Sequence, residues 1–229
     1  MKPYQLLPIA ECGEPLVPIP LDRFAVESPH PYEKLGAPYG GRSPFYLRQG
    51  VVEKLLAAQN ALQANHPGWR IQIFDAYRPI AVQQFMVNYA FASEVRSRGL
   101  TLAELTEAQR QDIFQSVYQF WAVPSADVAT PPPHATGAAV DVTLIAATGD
   151  AVNMGSPIDE ISPRSHPDYF ANSSDDAERV YDMHRQILAD AMRSVGFARH
   201  PNEWWHFCYG DQMWAWLTGQ DTARYGRVD

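Results

Sequence analysis

His134-Ala-Thr-Gly137-Ala-Ala-Val-Asp141-Val-Thr-Leu144 is the stretch on which the reading of this chain turns. Residues 138–144 are small, apolar or β-branched, a composition that favours a strand. One aspartate interrupts that run, and a histidine and a glycine precede it. A polar group inside an apolar strand needs a partner, because burying it unpaired is costly. Farther along, Glu203-Trp-Trp-His206 opens a second aromatic-rich run, residues 203–209, that also favours a strand. Two readings fit these two segments. In the plainer one, Gly137 turns the chain, Asp141 steadies that turn, and an aromatic strand happens to carry a histidine. In the other, two imidazoles and a carboxylate converge on a metal ion, with a second carboxylate to spare. Three protein ligands and an open fourth position suit a catalytic zinc, whereas a closed set of four is structural. The spare glutamate then stands ready to take a proton from water.

Outward from these strands, an α+β pattern emerges. Val52, Leu55, Leu56, Ala58 and Leu62 recur at helical spacing over residues 49–65, and Asn65-His66-Pro67-Gly68 ends the run. Trp69, Ile71 and Ile73 alternate with polar residues and read as a strand leading into Asp75-Ala-Tyr-Arg78-Pro79. Pro79 is suited to a first helical turn, and the helix it opens is expected to reach Arg96. Thr101-Leu-Ala-Glu104 has capping-box form and predicts a further helix to about Trp121. Thr148-Gly-Asp150 signals a turn, with a hairpin partner expected after it. A long amphipathic helix is predicted from about Asp175 to Val195, closed by Gly196. The expectation is a single domain over residues 1–229: an irregular wrap over 1–45, and a catalytic core over 46–210. Its central antiparallel sheet carries the site, with helices packed on one side.

Composition excludes several classes. The net charge of −8, with no basic block, argues against nucleic acid or an anionic membrane surface as a partner. No stretch approaches the roughly 18 apolar residues of a membrane span, and no leader-like run opens the chain. Only Cys12 and Cys208 are present, too few for a disulfide framework, which points to reduced thiols and a cytoplasmic protein. Glycine-rich dinucleotide and phosphate loops, the GxSxG elbow and HExxH are all missing.

The two segments resemble the zinc motifs of the D-alanyl-D-alanine dipeptidases. Asp75-Ala-Tyr-Arg78-Pro79 is similar to that family's arginine motif. Met154-Gly-Ser-Pro-Ile-Asp159-Glu160, followed by Arg164-Ser-His166, is similar to its substrate-side loop. Order and spacing agree over roughly residues 20–210. The resemblance implies a zinc D-Ala-D-Ala peptidase or hedgehog-like fold, with one zinc ion per chain held by His134, Asp141 and His206. It implies that Glu203 accepts the proton of the metal-activated water and that Arg78 steadies the charge on the scissile carbonyl oxygen. Asp159 would bind the ammonium of a small dipeptide. A guanidinium offers a fixed fork of donors to a developing oxyanion, and a carboxylate facing an ammonium restricts cleavage to short substrates.

One departure stands out. Where the family has hydroxyl residues that help hold the substrate's carboxylate, this chain has Pro132 and Pro133. The fold and the metal chemistry do not depend on those hydroxyls; carboxylate recognition and a strict D-Ala-D-Ala preference do. Two other functions stay open: a carboxypeptidase or endopeptidase on longer cell-wall peptides, and an inactive zinc-containing module that binds peptides. Of the neighbouring residues, one of Trp204 and Trp205 is expected to face the site and the other the core. Cys208 is expected to be a buried, inert thiol.

Overall fold

Alternation at Ile71 and Ile73, and at Val140, Val142 and Leu144, decides which face of the sheet is dry. The computed structural model describes residues 2–228. In chain order its elements are β1 (Leu16–Pro18), β2 (Ala25–Val26), α1 (Pro31–Lys34), β3 (Tyr46–Arg48), α2 (Gln49–Asn65), β4 (Arg70–Asp75) and α3 (Ile80–Ser97). They continue with α4 (Glu107–Phe120), β5 (Ala139–Ile145), α5 (Asp176–Arg193), β6 (Ala198–Arg199), β7 (His206–Cys208) and α6 (Gln212–Thr218). The fold is α+β, as expected.

The main sheet has five strands in the order β2-β4-β5-β7-β6. β4, β5, β7 and β6 run antiparallel to their neighbours, but β2 lies parallel to β4. The sheet is therefore mixed rather than wholly antiparallel. Parallel neighbours need a crossover connection, and α2 lies in the chain between β2 and β4.

Ile71, Ile73, Val140, Val142, Leu144 and Phe207 pack with Val51, Leu55 and Leu62 of α2 and Leu188 and Met192 of α5. Each such side chain contributes about 1.5–3 kcal/mol when fully buried. Phe74 points away from Ile73 and packs against a second cluster, built from Val82, Met86 and Phe91 of α3 and Ile113 and Val117 of α4. Helices thus flank the sheet on both sides, where packing on one side was expected. The site occupies the sheet face turned away from α2 and α5.

Three local readings are corrected. The helix expected from Thr101 begins at Thr106 instead: Thr106 N donates to Gln109 Oε1 (2.9 Å), and Gln109 N to Thr106 Oγ1 (3.2 Å). Thr101 and Glu104 spend their side chains on each other, 2.5 Å apart, in a turn. The strand over 203–209 shrinks to His206–Cys208, because Trp204 N leaves the ladder for Ser165 O (3.0 Å). The turn at 148–150 is followed by a single bridge, Ile145 to Ala151, and not by a strand. Among the described residues no helix is long and apolar enough to cross a membrane, and Cys12 and Cys208 are both unpaired.

Candidate active site

Antiparallel pairing sets Asp141 on β5 directly opposite His206 on β7. Opposed residues put their side chains on the same face of a sheet, so the ladder alone brings these two together. His206 Nδ1 is 2.9 Å from Asp141 Oδ1.

His134 arrives from a 3-10 turn, Pro133–Thr136, that ends at Gly137 with φ 68°. A Cβ on Gly137 would fall 2.3 Å from Leu16 Cδ2, so both the backbone angle and the space demand glycine. His134 Nδ1 lies 2.7 Å from Ala76 O. A carbonyl only accepts, so the proton sits on Nδ1 and the Nε2 lone pair points inward. Nε2 is 3.2 Å from His206 Nδ1 and 3.2 Å from Asp141 Oδ2.

All three side chains are buried, and one ligand atom from each lies within 4.8 Å of the others. Burial alone would raise the Asp141 carboxyl, but the two imidazoles beside it hold it well below the usual range. Three electron-pair donors packed so tightly, with only nitrogen and oxygen among them, fit a divalent ion of the zinc type.

Arg78 is delivered by an irregularity in β4. The register against β5 shifts between Ile73 and Asp75, so Asp75 stands opposite Asp141. Regular alternation would send Asp75 to the dry face; the bulge turns it toward the site. Asp75 Oδ2 accepts from Arg78 Nε (2.9 Å), and Asp75 Oδ1 accepts from the Tyr39 hydroxyl (3.1 Å). Arg78 Nη1 donates to Gln83 Oε1 (2.9 Å), and its Nη2 reaches Asp141 Oδ2 and the Tyr32 hydroxyl, both at 3.2 Å. The guanidinium carbon also lies about 5 Å from the rings of Tyr32 and Trp121. Burial opposes the charge, but Tyr32, Asp75 and Asp141 keep the guanidinium protonated.

Glu203 is 6% exposed, with Oε2 3.9 Å from His206 Nδ1 and Oε1 3.6 Å from His200 Nδ1. Burial, helped by the Asp141 charge, pushes its carboxyl well above the usual range, while Lys2 pulls the other way. Asp159 adopts φ 68°, a left-handed angle that few side chains tolerate, and accepts the Tyr32 hydroxyl at 2.8 Å. Burial and the Asp141 charge raise it to about 7.

Arg78, His134, Asp141, Asp159, Glu203 and His206 therefore all line one cavity. Trp205 lines it too while packing in the same core cluster as Trp204, which does not line it and donates Nε1–H to Ser156 Oγ at 3.0 Å. Cys208 packs with Tyr4, Ala139 and Met213, away from the ligand atoms. Sequence reasoning missed Lys2, Gln83, Trp121 and His200 in the cavity wall, and Tyr32 behind Asp159. Lys2 and Tyr32 belong to the stretch expected to be an irregular wrap, where no periodicity or motif marks them. Asp75 was visible only as a neighbour of Arg78.

A family model described as D-Ala-D-Ala dipeptidase, peptidase family M15, matches residues 26–223. A D-alanyl-D-alanine dipeptidase of Synechocystis sp. is 48% identical over the whole of this chain and 98% of its own length. One from Enterococcus faecium is 27% identical, over 71% of this chain and 72% of its own. A solved structure of the vancomycin-resistance D,D-pentapeptidase VanY with Zn(II) is 17% identical, with a TM-score of 0.45 over 76% of this chain and 80% of that one.

Proposed function

The chain belongs to the D-alanyl-D-alanine dipeptidase family, and from that premise we propose that it is a zinc-dependent dipeptidase cleaving D-alanyl-D-alanine or a closely similar free dipeptide. The observation that carries the reading is the convergence of His134, Asp141 and His206 with Glu203, Arg78 and Asp159 around one cavity. In this reading His134 Nε2, Asp141 and His206 Nδ1 hold one zinc ion per chain. When bound, that ion supplies Lewis acidity, polarising the carbonyl and bringing the pKa of water toward ~7.

Glu203 is the proton carrier. Burial and the Asp141 charge raise its pKa, which makes the carboxylate a better proton acceptor than an ordinary glutamate; the proton it takes is then given to the leaving amine. Arg78 is a fixed cation, anchored by Asp75 and Gln83 before substrate arrives. A donor aimed beforehand at developing negative charge need not reorganise during the reaction. Asp159, once ionised, meets the substrate ammonium and so marks where the peptide begins. That contact favours a dipeptidase over an endopeptidase, which must accept acylated chains. The unpaired thiols Cys12 and Cys208 support a cytoplasmic site of action.

The test is Glu203→Gln, assayed for zinc content and for hydrolysis of D-Ala-D-Ala and its N-acetyl derivative by the wild type and the variant. We expect full zinc content in the variant, a loss of kcat of at least about 10²-fold, and no wild-type cleavage of the acetylated dipeptide. Wild-type turnover in Glu203→Gln would overturn the assignment of Glu203. Preferential cleavage of the acetylated compound would overturn the dipeptidase reading.

A further inference from the structure

The cavity has two chemically different ends. At one, Asp159 sits with Tyr32 and Arg78. At the other, Lys2, Tyr4 and His200 line the wall. Lys2 acts electrostatically on Glu203 and His200, whereas Asp159 answers to Asp141, Arg78 and Asp75. Glu203 lines the same cavity and feels the charge of both Lys2 and Asp159.

Lys2 is a placed residue rather than a loose one. The segment after it forms a 3-10 turn, Pro3–Leu6, and Lys2 N donates to Gln5 Oε1 at 2.8 Å. Tyr4 is 4% exposed and packs against Ala139, Cys208 and Met213 beneath β5 and β7. Gln212 of α6 fastens the segment by donating Nε2–H to Leu7 O at 2.7 Å.

Among the described residues the donors at this end have no hydrogen-bond acceptors of their own. Among the described residues no carboxylate closes on the Lys2 ammonium as an ion pair, and the Tyr4 hydroxyl has no hydrogen-bond partner. His200 Nδ1 accepts from Asn202 N at 3.1 Å, which leaves the ring proton on Nε2. Burial lowers the Lys2 pKa, with Glu203 opposing, and burial keeps His200 neutral. One ammonium and two neutral donors thus border the same space.

Pro133 lines the cavity and has neither an N–H nor a hydroxyl. A substrate carboxylate entering here would also face Glu203. Like charges this close, in surroundings this dry, repel strongly unless a cation stands by.

We propose that Lys2 binds the C-terminal carboxylate of the substrate, with the Tyr4 hydroxyl and His200 Nε2–H beside it, so that the cavity reads both charged ends of a free dipeptide. The proposal rests on the dipeptidase reading above and adds to it a specificity residue. Asp159 and Lys2 together act as a ruler: ammonium at one end, carboxylate at the other, scissile amide between Arg78 and Glu203. Substrates one residue longer would lose one of the two charge contacts.

The experiment compares D-Ala-D-Ala with D-Ala-D-alaninamide as substrates for the zinc-loaded full chain, in the wild type, Lys2→Met, Lys2→Gln and Lys2→Arg. Zinc content and thermal midpoint report on folding. Losing a charge-assisted contact predicts a KM for the free acid raised about 10- to 100-fold in Lys2→Met and Lys2→Gln. The amide's KM stays close to its wild-type value; because Lys2 also acts on Glu203, kcat shifts by the same factor on both substrates, so the acid-to-amide ratio of KM is the readout, and Lys2→Arg restores much of the preference for the acid. An unchanged acid-to-amide ratio in both neutral variants would overturn the assignment. So would an equal rise in KM for both substrates, which would mean that Lys2 does not read the carboxylate. A wild type that hydrolyses neither compound would instead overturn the dipeptidase reading, and the carboxylate site would fall with it.

Discussion

Replacing Asp75 by asparagine keeps the shape of the side chain and removes its charge, in a place where charge has three dependants. Asp75 is fully buried. One oxygen receives Arg78 Nε at 2.9 Å and Nη2 at 2.8 Å; the other receives the Tyr39 hydroxyl at 3.1 Å and lies 3.1 Å from His30 Nε2. An amide offers one acceptor and one donor, so whichever way it turns, its NH2 group meets another donor. Removing one partner of a buried pair typically costs about 3–5 kcal/mol, because the other charge is left uncompensated. For a chain of this size, roughly 2–4 °C per kcal/mol converts that into a fall in thermal midpoint on the order of 6–20 °C. The chemistry suffers as well. Arg78 would then rest on Gln83 and lean on Asp141, which its Nη2 already approaches at 3.2 Å. Losing the support behind a ligand typically weakens metal binding about 10–100-fold, and misplacing an oxyanion donor costs up to about 10²–10³ in kcat. The assay is a thermal melt with and without zinc, a competitive zinc titration, and kcat on D-Ala-D-Ala. A variant matching the wild type in midpoint, zinc affinity and kcat would refute the view that Asp75 holds Arg78 in place.

Two further outcomes follow from local geometry and charge. Gly137→Ala combines a left-handed φ of 68° with a Cβ 2.3 Å from Leu16 Cδ2; it is expected to destabilise the protein by about 1–3 kcal/mol, read by denaturant unfolding, and to weaken zinc binding by shifting His134. Asp159, raised to about 7, is protonated in the free enzyme below that pH and cannot hold an ammonium. Accordingly kcat/KM for D-Ala-D-Ala should fall about tenfold per pH unit below about 7 through this group, with a rise in KM at its root. Its effect on stability has the opposite sign: the folded state keeps a proton that the unfolded chain releases near 3.8, so that contribution is full at low pH and is lost as pH climbs through about 7. Asp159→Asn removes both dependences; a pH–rate profile identical to the wild type's would exclude this role.

Much of the fold was legible because its cues are local. Helical spacing over 49–65 marked α2 to the residue, and alternation at Ile71 and Ile73 marked β4. The single aspartate in 138–144 stood out because strands of that composition are dry. Errors arose where two local solutions compete. Thr101-Leu-Ala-Glu104 and Thr106-Glu-Ala-Gln109 both have capping form, and only the packing of Ile113 and Val117 against α3 selects the second. The parallel placement of β2, the helices on both faces and the early loss of Trp204 from the ladder rest on contacts between distant segments.

By itself, then, the amino-acid order determined most of the elements and, through motifs shared with the family, singled out the side chains proposed to carry the chemistry: His134, Asp141, Glu203, His206, Arg78 and Asp159. Periodicity, turn residues and the oddness of a polar group in an apolar run are properties of neighbouring residues, and neighbours are adjacent in the sequence. Only the tertiary structure decided how those groups face one another. A β-bulge turns Asp75 to the site face behind Arg78, Tyr32 reaches Asp159 from far upstream, and a turn near the start of the chain carries Lys2 to the cavity. Such meetings depend on strand register and on packing between segments remote in the chain, which no short window of sequence contains.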